Sequence, residues 1–134
     1  MIVIDSSFLI AYHNTTDIHH AAAARAMVPL IAGKWGRGQL LEYVFLEVVT
    51  VLLARRGKAV ASSVGTQLIG AVELDFVPCS DVFYDAFEEF RTQPGDELSL
   101  TDAAIVAVAR KEPGSAVATF DNDFRSIAGL TVVP

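Results

Sequence analysis

The chain has 134 residues and a mass of 14.4 kDa, enough to bury one core and too little for two, so residues 1–134 are expected to form a single domain. Hydrophobic residues make up 52% of it, which excludes intrinsic disorder. A formal charge of -6 and a pI near 4.9 exclude sequence-independent clamping of duplex DNA, a mode that needs many Lys and Arg on phosphates. Cys79 is the only cysteine, which rules out an internal disulfide and a multi-thiolate metal site and suits a reducing compartment. The chain opens on an apolar run without a basic flank or a long hydrophobic stretch, so neither a signal peptide nor a membrane span is expected, and a cytoplasmic location is.

In chain order, Met1 to Ile4 is a continuous apolar run too short for an amphipathic helix and reads as a buried strand. Ser6 to Tyr12 begins a helix, and Asp17 to Ala32, rich in Ala with Pro29 near its end, is a second one closed by Gly33. Gln39 to Tyr43 is expected as a strand. Val44 to Arg56 is the strongest helical segment, ended by Gly57, and Lys58 to Val72 is the next, weakened by Gly65 and Gly70. Asp75 to Val77 reads as a strand before Pro78, and Asp81 to Thr92 as a helix before the Pro94–Gly95 turn. A helix from Thr101 to Lys111 follows, then a strand from Ala116 to Phe120, a short helix over Asp123 to Ile127 and a last strand from Leu130 to Val133. Strands alternating with helices argue for an α/β fold, a three-layer arrangement in which a parallel sheet of four to five strands is flanked by helices. No repeat, low-complexity segment or linker interrupts it.

Asp5, Asp102 and Asp121 each sit where a strand or loop gives way to a helix. Taken singly, each has a structural explanation. Asp5 and Asp121 are preferred N-cap residues, and Ser99-Leu100-Thr101-Asp102 has the form of a capping box. Glu47 lacks such a capping explanation: Val44, Phe45, Leu46, Val48, Val49, Val51, Leu52 and Leu53 make its helix apolar nearly all round, so the carboxylate is expected to be largely buried, with a half-exposed place at the edge of the helix as the structural alternative. Burial costs several kcal/mol unless the group is paired, protonated or metal-bound, and no Lys or Arg lies one turn away on its face.

One shared site accounts for the four acids together. An open parallel sheet binds ligands in the crevice at the carboxyl ends of its strands, and carboxylates gathered there call for a hard cation. Two of them about 4 Å apart repel by roughly 4 kcal/mol at an effective dielectric near 20, a cost that magnesium turns into affinity. The ion takes oxygen ligands, keeps several waters and activates one of them against a phosphodiester. Ser7 and Thr119 offer hydroxyls to orient a carboxylate or a water, with a capping hydroxyl and a β-branched strand residue as their structural alternatives. These residues therefore point to a magnesium-dependent nuclease.

The segments Val3-Ile-Asp5-Ser-Ser-Phe-Leu-Ile10, the helical Glu47, Leu98-Ser-Leu-Thr-Asp102-Ala and Thr119-Phe-Asp121-Asn-Asp123-Phe124 resemble the ordered acidic motifs of PIN-domain ribonucleases, and more closely those of the VapC toxins of type II toxin–antitoxin systems. The resemblance runs over the whole chain and the order of its elements. It implies a magnesium or manganese site, RNA as substrate, and inhibition by a VapB-type antitoxin. Asp5 and Asp102 match the positions the family uses most directly for metal, Glu47 and Asp121 match its other acidic positions, and Asp123 matches a fifth acid that is less regularly present.

Other classes fit less well. A haloacid-dehalogenase-type phosphatase needs an acid where Ser7 stands, and a receiver domain needs a late Lys that Ala116 to Phe120 lacks. A binding module of the same fold, catalytically silent with its acids as helix caps, is the alternative from another class. His13, His19 and His20 lack the one-turn spacing of a helical metal pair. Candidate RNA contacts are Trp35, Tyr12 and the basic groups Lys34 with Arg37, Arg55 with Arg56 and Lys58, and Arg110 with Lys111, the last pair also fitting an ordinary helix end. Phe83, Tyr84, Phe87 and Phe90 crowd one short helix and suggest an apolar partner surface for a homodimer or an antitoxin, with core packing as the structural alternative.

Overall fold

The short apolar runs form the centre of the molecule, seen in a computed structural model that describes residues 1–134. Strands β1 (Ile2–Ile4), β2 (Gly38–Leu41), β3 (Leu74–Val77), β4 (Ala116–Ala118) and β5 (Thr131–Val133) lie in one sheet in the order β3-β2-β1-β4-β5, every pair parallel. Ile2, Val3 and Ile4 are all fully buried. Alternate strand residues point to opposite faces, so burial of all three means that both faces of the central strand are covered.

Six helices provide that cover: α1 (Ser6–His13), α2 (His20–Ile31), α3 (Glu42–Arg56), α4 (Lys58–Gly70), α5 (Cys79–Thr92) and α6 (Leu100–Ala109). Contacts of α1 with α2 and α3, and of α3 with α4, make one connected group, and α5 and α6 pack closely on each other. The expected α/β architecture is therefore present, with five strands. Gly57, at φ 85°, lets α3 turn directly into α4, a backbone shape that a residue with a Cβ takes up only under strain. No helix is long and apolar enough to cross a membrane.

Element boundaries depart from expectation where side chains capture the backbone. The second strand ends at Leu41, not Tyr43, because Glu42 opens α3 and its Oε2 accepts the Cys79 N–H at 2.9 Å. The second helix begins at His20 rather than Asp17, whose Oδ1 instead accepts the His19 N–H at 2.8 Å in a turn. The fourth strand stops at Ala118, short of Phe120, because the Phe120 N–H is taken by Ser7 Oγ at 2.9 Å. Pro78 caps α5, which starts at Cys79.

One expectation about burial changes. Helix α3 buries only the stripe Val44, Val48 and Leu52, spaced one turn apart, and leaves Leu46 and Leu53 exposed. Glu47 lies off that stripe and is exposed, so the argument from a costly buried carboxylate does not hold. Apolar composition around a helix does not bury every face when only one side meets the sheet and the neighbouring helices. The aromatic residues of α5 are on the surface too: Phe83, Tyr84, Phe87 and Phe90 are all exposed while Val82 and Ala86 make its core contact, which removes core packing as their explanation.

Candidate active site

Asp5 leaves the carboxyl end of β1 as the N-cap of α1 and is buried, with 4% of its surface exposed. Its Oδ2 accepts the Ser7 N–H at 3.3 Å, the Ser7 hydroxyl at 2.6 Å and the Thr119 hydroxyl at 2.8 Å. With both hydroxyl protons directed at Asp5, the 3.1 Å approach of Ser7 Oγ to Thr119 Oγ1 carries none of its own. The Thr119 oxygen also accepts the Asp121 N–H at 2.9 Å. Both hydroxyls thus orient the Asp5 carboxylate, one of the roles suspected for them, and the fully buried threonine also links the ends of β1 and β4. Asp5 Oδ1 has no protein partner, and since no buried side-chain polar atom is left unsatisfied, that oxygen reaches the surface.

Asp102 and Asp121 repeat this division of labour. Asp102 is the third residue of α6 and closes a capping box: its Oδ2 accepts the Ser99 N–H at 2.9 Å while Ser99 Oγ accepts the Asp102 N–H at 3.1 Å. Asp121 caps the short 3-10 turn Asn122–Ser126, its Oδ1 accepting the Asp123 N–H at 2.9 Å. In each the second carboxylate oxygen has no protein hydrogen bond, and neither oxygen of Asp123 has one. The capping explanation is therefore correct for all three aspartates and occupies one oxygen of each.

Electrostatics brings the same three together. Burial raises the Asp102 pKa above the ordinary carboxylate value; the Ser99 hydrogen bonds oppose the rise, and the charges of Asp5 and Asp121 add to it. Glu47 is not among the groups Asp102 senses. It borders a shallow cavity of about 260 Å³ next to the aspartates, together with Ser7, Asp17, His19, Arg55 and Phe120. No three His, Cys, Asp or Glu side chains converge closely enough, as they stand, to hold an ion between them. The donor set nonetheless suits a hard cation, because the uncommitted atoms are carboxylate oxygens and an ion such as magnesium takes one or two carboxylates and keeps several waters.

A model of the PIN domain matches residues 2–130. The chain belongs to the PIN-domain family. Family membership supports a nuclease role. Among solved structures, this PIN domain is similar to VapC20 of Mycobacterium tuberculosis, a sarcin–ricin loop cleaving toxin, with 27% identity, all of both chains covered and a TM-score of 0.83. It shares its fold with VapBC2 of Rickettsia felis bound to a promoter DNA fragment, at 18% identity over 98% of this chain and 97% of that one with a TM-score of 0.68. A toxin–antitoxin complex from Klebsiella pneumoniae has the same fold, at 16% identity over 98% and 96% with a TM-score of 0.67. No curated protein sequence matches the chain significantly.

Several suspected RNA contacts lie elsewhere on this PIN domain. Trp35, with Lys34 over its ring at 4.7 Å, borders a cavity with Met1, Arg37 and Glu112, at the amino ends of the strands and so opposite the aspartates. Arg37 is paired with Asp75, Arg110 with Glu89 and Lys111 with Asp85, which leaves the helix-end explanation in force for the last two. Tyr12 and His13 line an apolar cavity with Leu9, Met27 and Leu68, where burial lowers the His13 pKa. Arg56 donates to Asn14 Oδ1 at 2.7 Å, whereas Arg55 makes no ion pair and faces the cavity beside the aspartates. The stack of His19 on Phe120 there carried no signal in the sequence, where His19 is considered only as a metal ligand, since the two stand 101 positions apart and only the fold makes them neighbours.

Proposed function

We propose that this PIN domain is a magnesium-dependent endoribonuclease, the toxin of a toxin–antitoxin pair, with manganese as an alternative ion. The observation that carries the reading is that Asp5, Asp102 and Asp121, drawn from the ends of β1 and β4 and the start of α6, each keep one carboxylate oxygen uncommitted while the other fixes the side chain in place. Asp5, Asp102 and Asp121 would hold the ion, with Glu47 and Asp123 at its margin. When bound, a divalent ion lowers the pKa of a coordinated water and neutralises charge on the scissile phosphate. The chain's own contribution is positional. Ser7 and Thr119 fix the Asp5 carboxylate by two hydroxyl hydrogen bonds, Ser99 fixes Asp102, and the Asp123 amide fixes Asp121. Such outer hydrogen bonds orient a metal ligand and hold its geometry through the reaction.

The likeness to VapC20 makes a sarcin–ricin loop RNA the first substrate to assay. The fold shared with VapBC2 supports a VapB-type antitoxin as inhibitor, and the exposed aromatic face of α5 supports a homodimer. Purified protein is expected to cleave RNA with magnesium or manganese and to stop in excess EDTA. Asp5→Asn and Asp102→Asn should lower the rate by orders of magnitude with the fold retained. The alternative, a catalytically silent binding module, draws support from the three real caps. Undiminished cleavage in EDTA, or no ion binding by calorimetric titration, would decide against the metal-dependent reading.

A further inference from the structure

Three aromatic rings form a column from the core to the rim of the site. Phe8 is fully buried, and Phe120 stacks on it with centroids 6.0 Å apart and planes inclined by 14°. His19 stacks in turn on Phe120, at 4.4 Å and 6°. Phe120 directly precedes Asp121, and its N–H is held by Ser7 Oγ, the same hydroxyl that donates to Asp5. The column is therefore locked to the aspartates by backbone and hydrogen bonds. Its last member is exposed, and no hydrogen bond holds the imidazole to the protein. The His19 backbone alone is tied down, through Asp17 Oδ1 and through its carbonyl to Ala23. The outer face of the ring thus continues the stack into solvent at a fixed place beside the carboxylates.

We propose that the His19–Phe120 stack is a base-binding platform that positions a nucleotide adjoining the scissile phosphate. The proposal rests on the RNA-cleaving reading and names the part of the substrate taken by this rim. The charge of the rim selects the base over the phosphate: Asp17 and Glu47 border the cavity against the single unpaired cation Arg55. A phosphate would meet net repulsion there, whereas a base is neutral, stacks through its π-face, and can donate its amino or imino hydrogens to a carboxylate. Arg55 is then free for a neighbouring backbone phosphate. Splayed bases stacked on aromatic or imidazole rings are the usual way in which single-stranded RNA is held.

The test uses the full-length protein, His19→Ala and His19→Trp, with a sarcin–ricin loop RNA and a mixed-sequence single strand, each carrying 2-aminopurine at successive positions. His19 makes no side-chain cap to α2, so both variants should fold, and circular dichroism checks this. His19→Ala should raise KM by on the order of tenfold, within the range that removing one base–aromatic stack produces, and should leave kcat within about twofold because the metal-facing aspartates are untouched. His19→Trp should restore KM. A merely structural role would lower kcat too and would not be rescued by the larger ring. Wild-type protein should quench one 2-aminopurine position, and His19→Ala should lose that quenching, in EDTA as well as with magnesium. Cleavage with unchanged KM and quenching in His19→Ala would overturn the platform while leaving the nuclease reading intact. Quenching without cleavage would sink the nuclease reading and keep the platform, and no quenching by the wild-type protein at any position would overturn the platform.

Discussion

Replacing Thr119 by Val tests whether the centre of the site is built as described. Valine matches threonine closely in shape, so at a fully buried position the change removes a hydroxyl and little else. That hydroxyl donates to Asp5 Oδ2 at 2.8 Å and accepts the Asp121 N–H at 2.9 Å. A hydrogen bond to a charged acceptor is worth about 1.5–3 kcal/mol and an orphaned buried donor costs about 1–3 kcal/mol. The two share one atom and do not add fully, and the extra methyl returns less than about 1 kcal/mol, so a net loss of about 2–4 kcal/mol is expected. At roughly 4 °C per kcal/mol for a domain of this size, that is a fall in melting temperature of about 8–16 °C. Thr119→Ser keeps both hydrogen bonds and should lose only about 1 kcal/mol from the missing methyl. Thermal and urea unfolding in EDTA, followed by circular dichroism, measure both. A Thr119→Val protein within about 0.5 kcal/mol of wild type, the range of ordinary surface changes, would refute the bridging role. In the folded variant the rate of RNA cleavage should fall by about 10- to 100-fold, the usual cost of losing an outer partner of a metal ligand.

The raised pKa of Asp102 means that the folded protein binds more protons than the unfolded chain between the ordinary carboxylate value and the raised one. The stability this group contributes is therefore complete at low pH and is lost as pH rises through that window. Asp102→Asn, whose amide oxygen can still accept from Ser99, should gain stability relative to wild type on going from about pH 4 to about pH 8 in EDTA; a constant difference would contradict the assignment. Magnesium at about a hundred times its dissociation constant should add roughly 2.7 kcal/mol, more at about pH 8 than at about pH 5 because protons compete for the carboxylates, and Asp5→Asn should abolish the gain; melting curves at both pH values test this. Because Glu47 is exposed, Glu47→Gln should change stability by less than about 0.5 kcal/mol while lowering the cleavage rate, and a large loss of stability would restore the discarded burial argument. Phe83→Ser with Phe87→Ser should leave the melting temperature of the monomer nearly unchanged and shift sedimentation from dimer to monomer, and a dimer that persists would place the interface elsewhere.

The α/β class and the order of elements were legible because hydrophobic periodicity is a local property of the chain. Met1 to Ile4 and Ala116 to Phe120 are too short and continuous for amphipathic helices, and Gly57 breaks two helical patterns wherever they pack. The three aspartates were legible for the same reason: Asp5 and Asp121 follow a strand and cap the turn or helix after it, and Asp102 completes a capping box with Ser99 at the start of α6. Burial was not legible in this way. Glu47 looked buried because its helix is apolar on most sides, yet the sheet and the neighbouring helices cover only the Val44–Val48–Leu52 stripe. The exposure of Phe83 and Phe87 likewise depended on where α6 sits against α5. The link from Thr119 to Asp5 spans 114 positions and the stack of His19 on Phe120 spans 101, separations at which no sequence pattern carries information. The first contact exists because parallel pairing of β1 with β4 brings two carboxyl ends side by side, and the second because the start of α2 meets the residues that follow β4; only the folded chain brings either pair within reach.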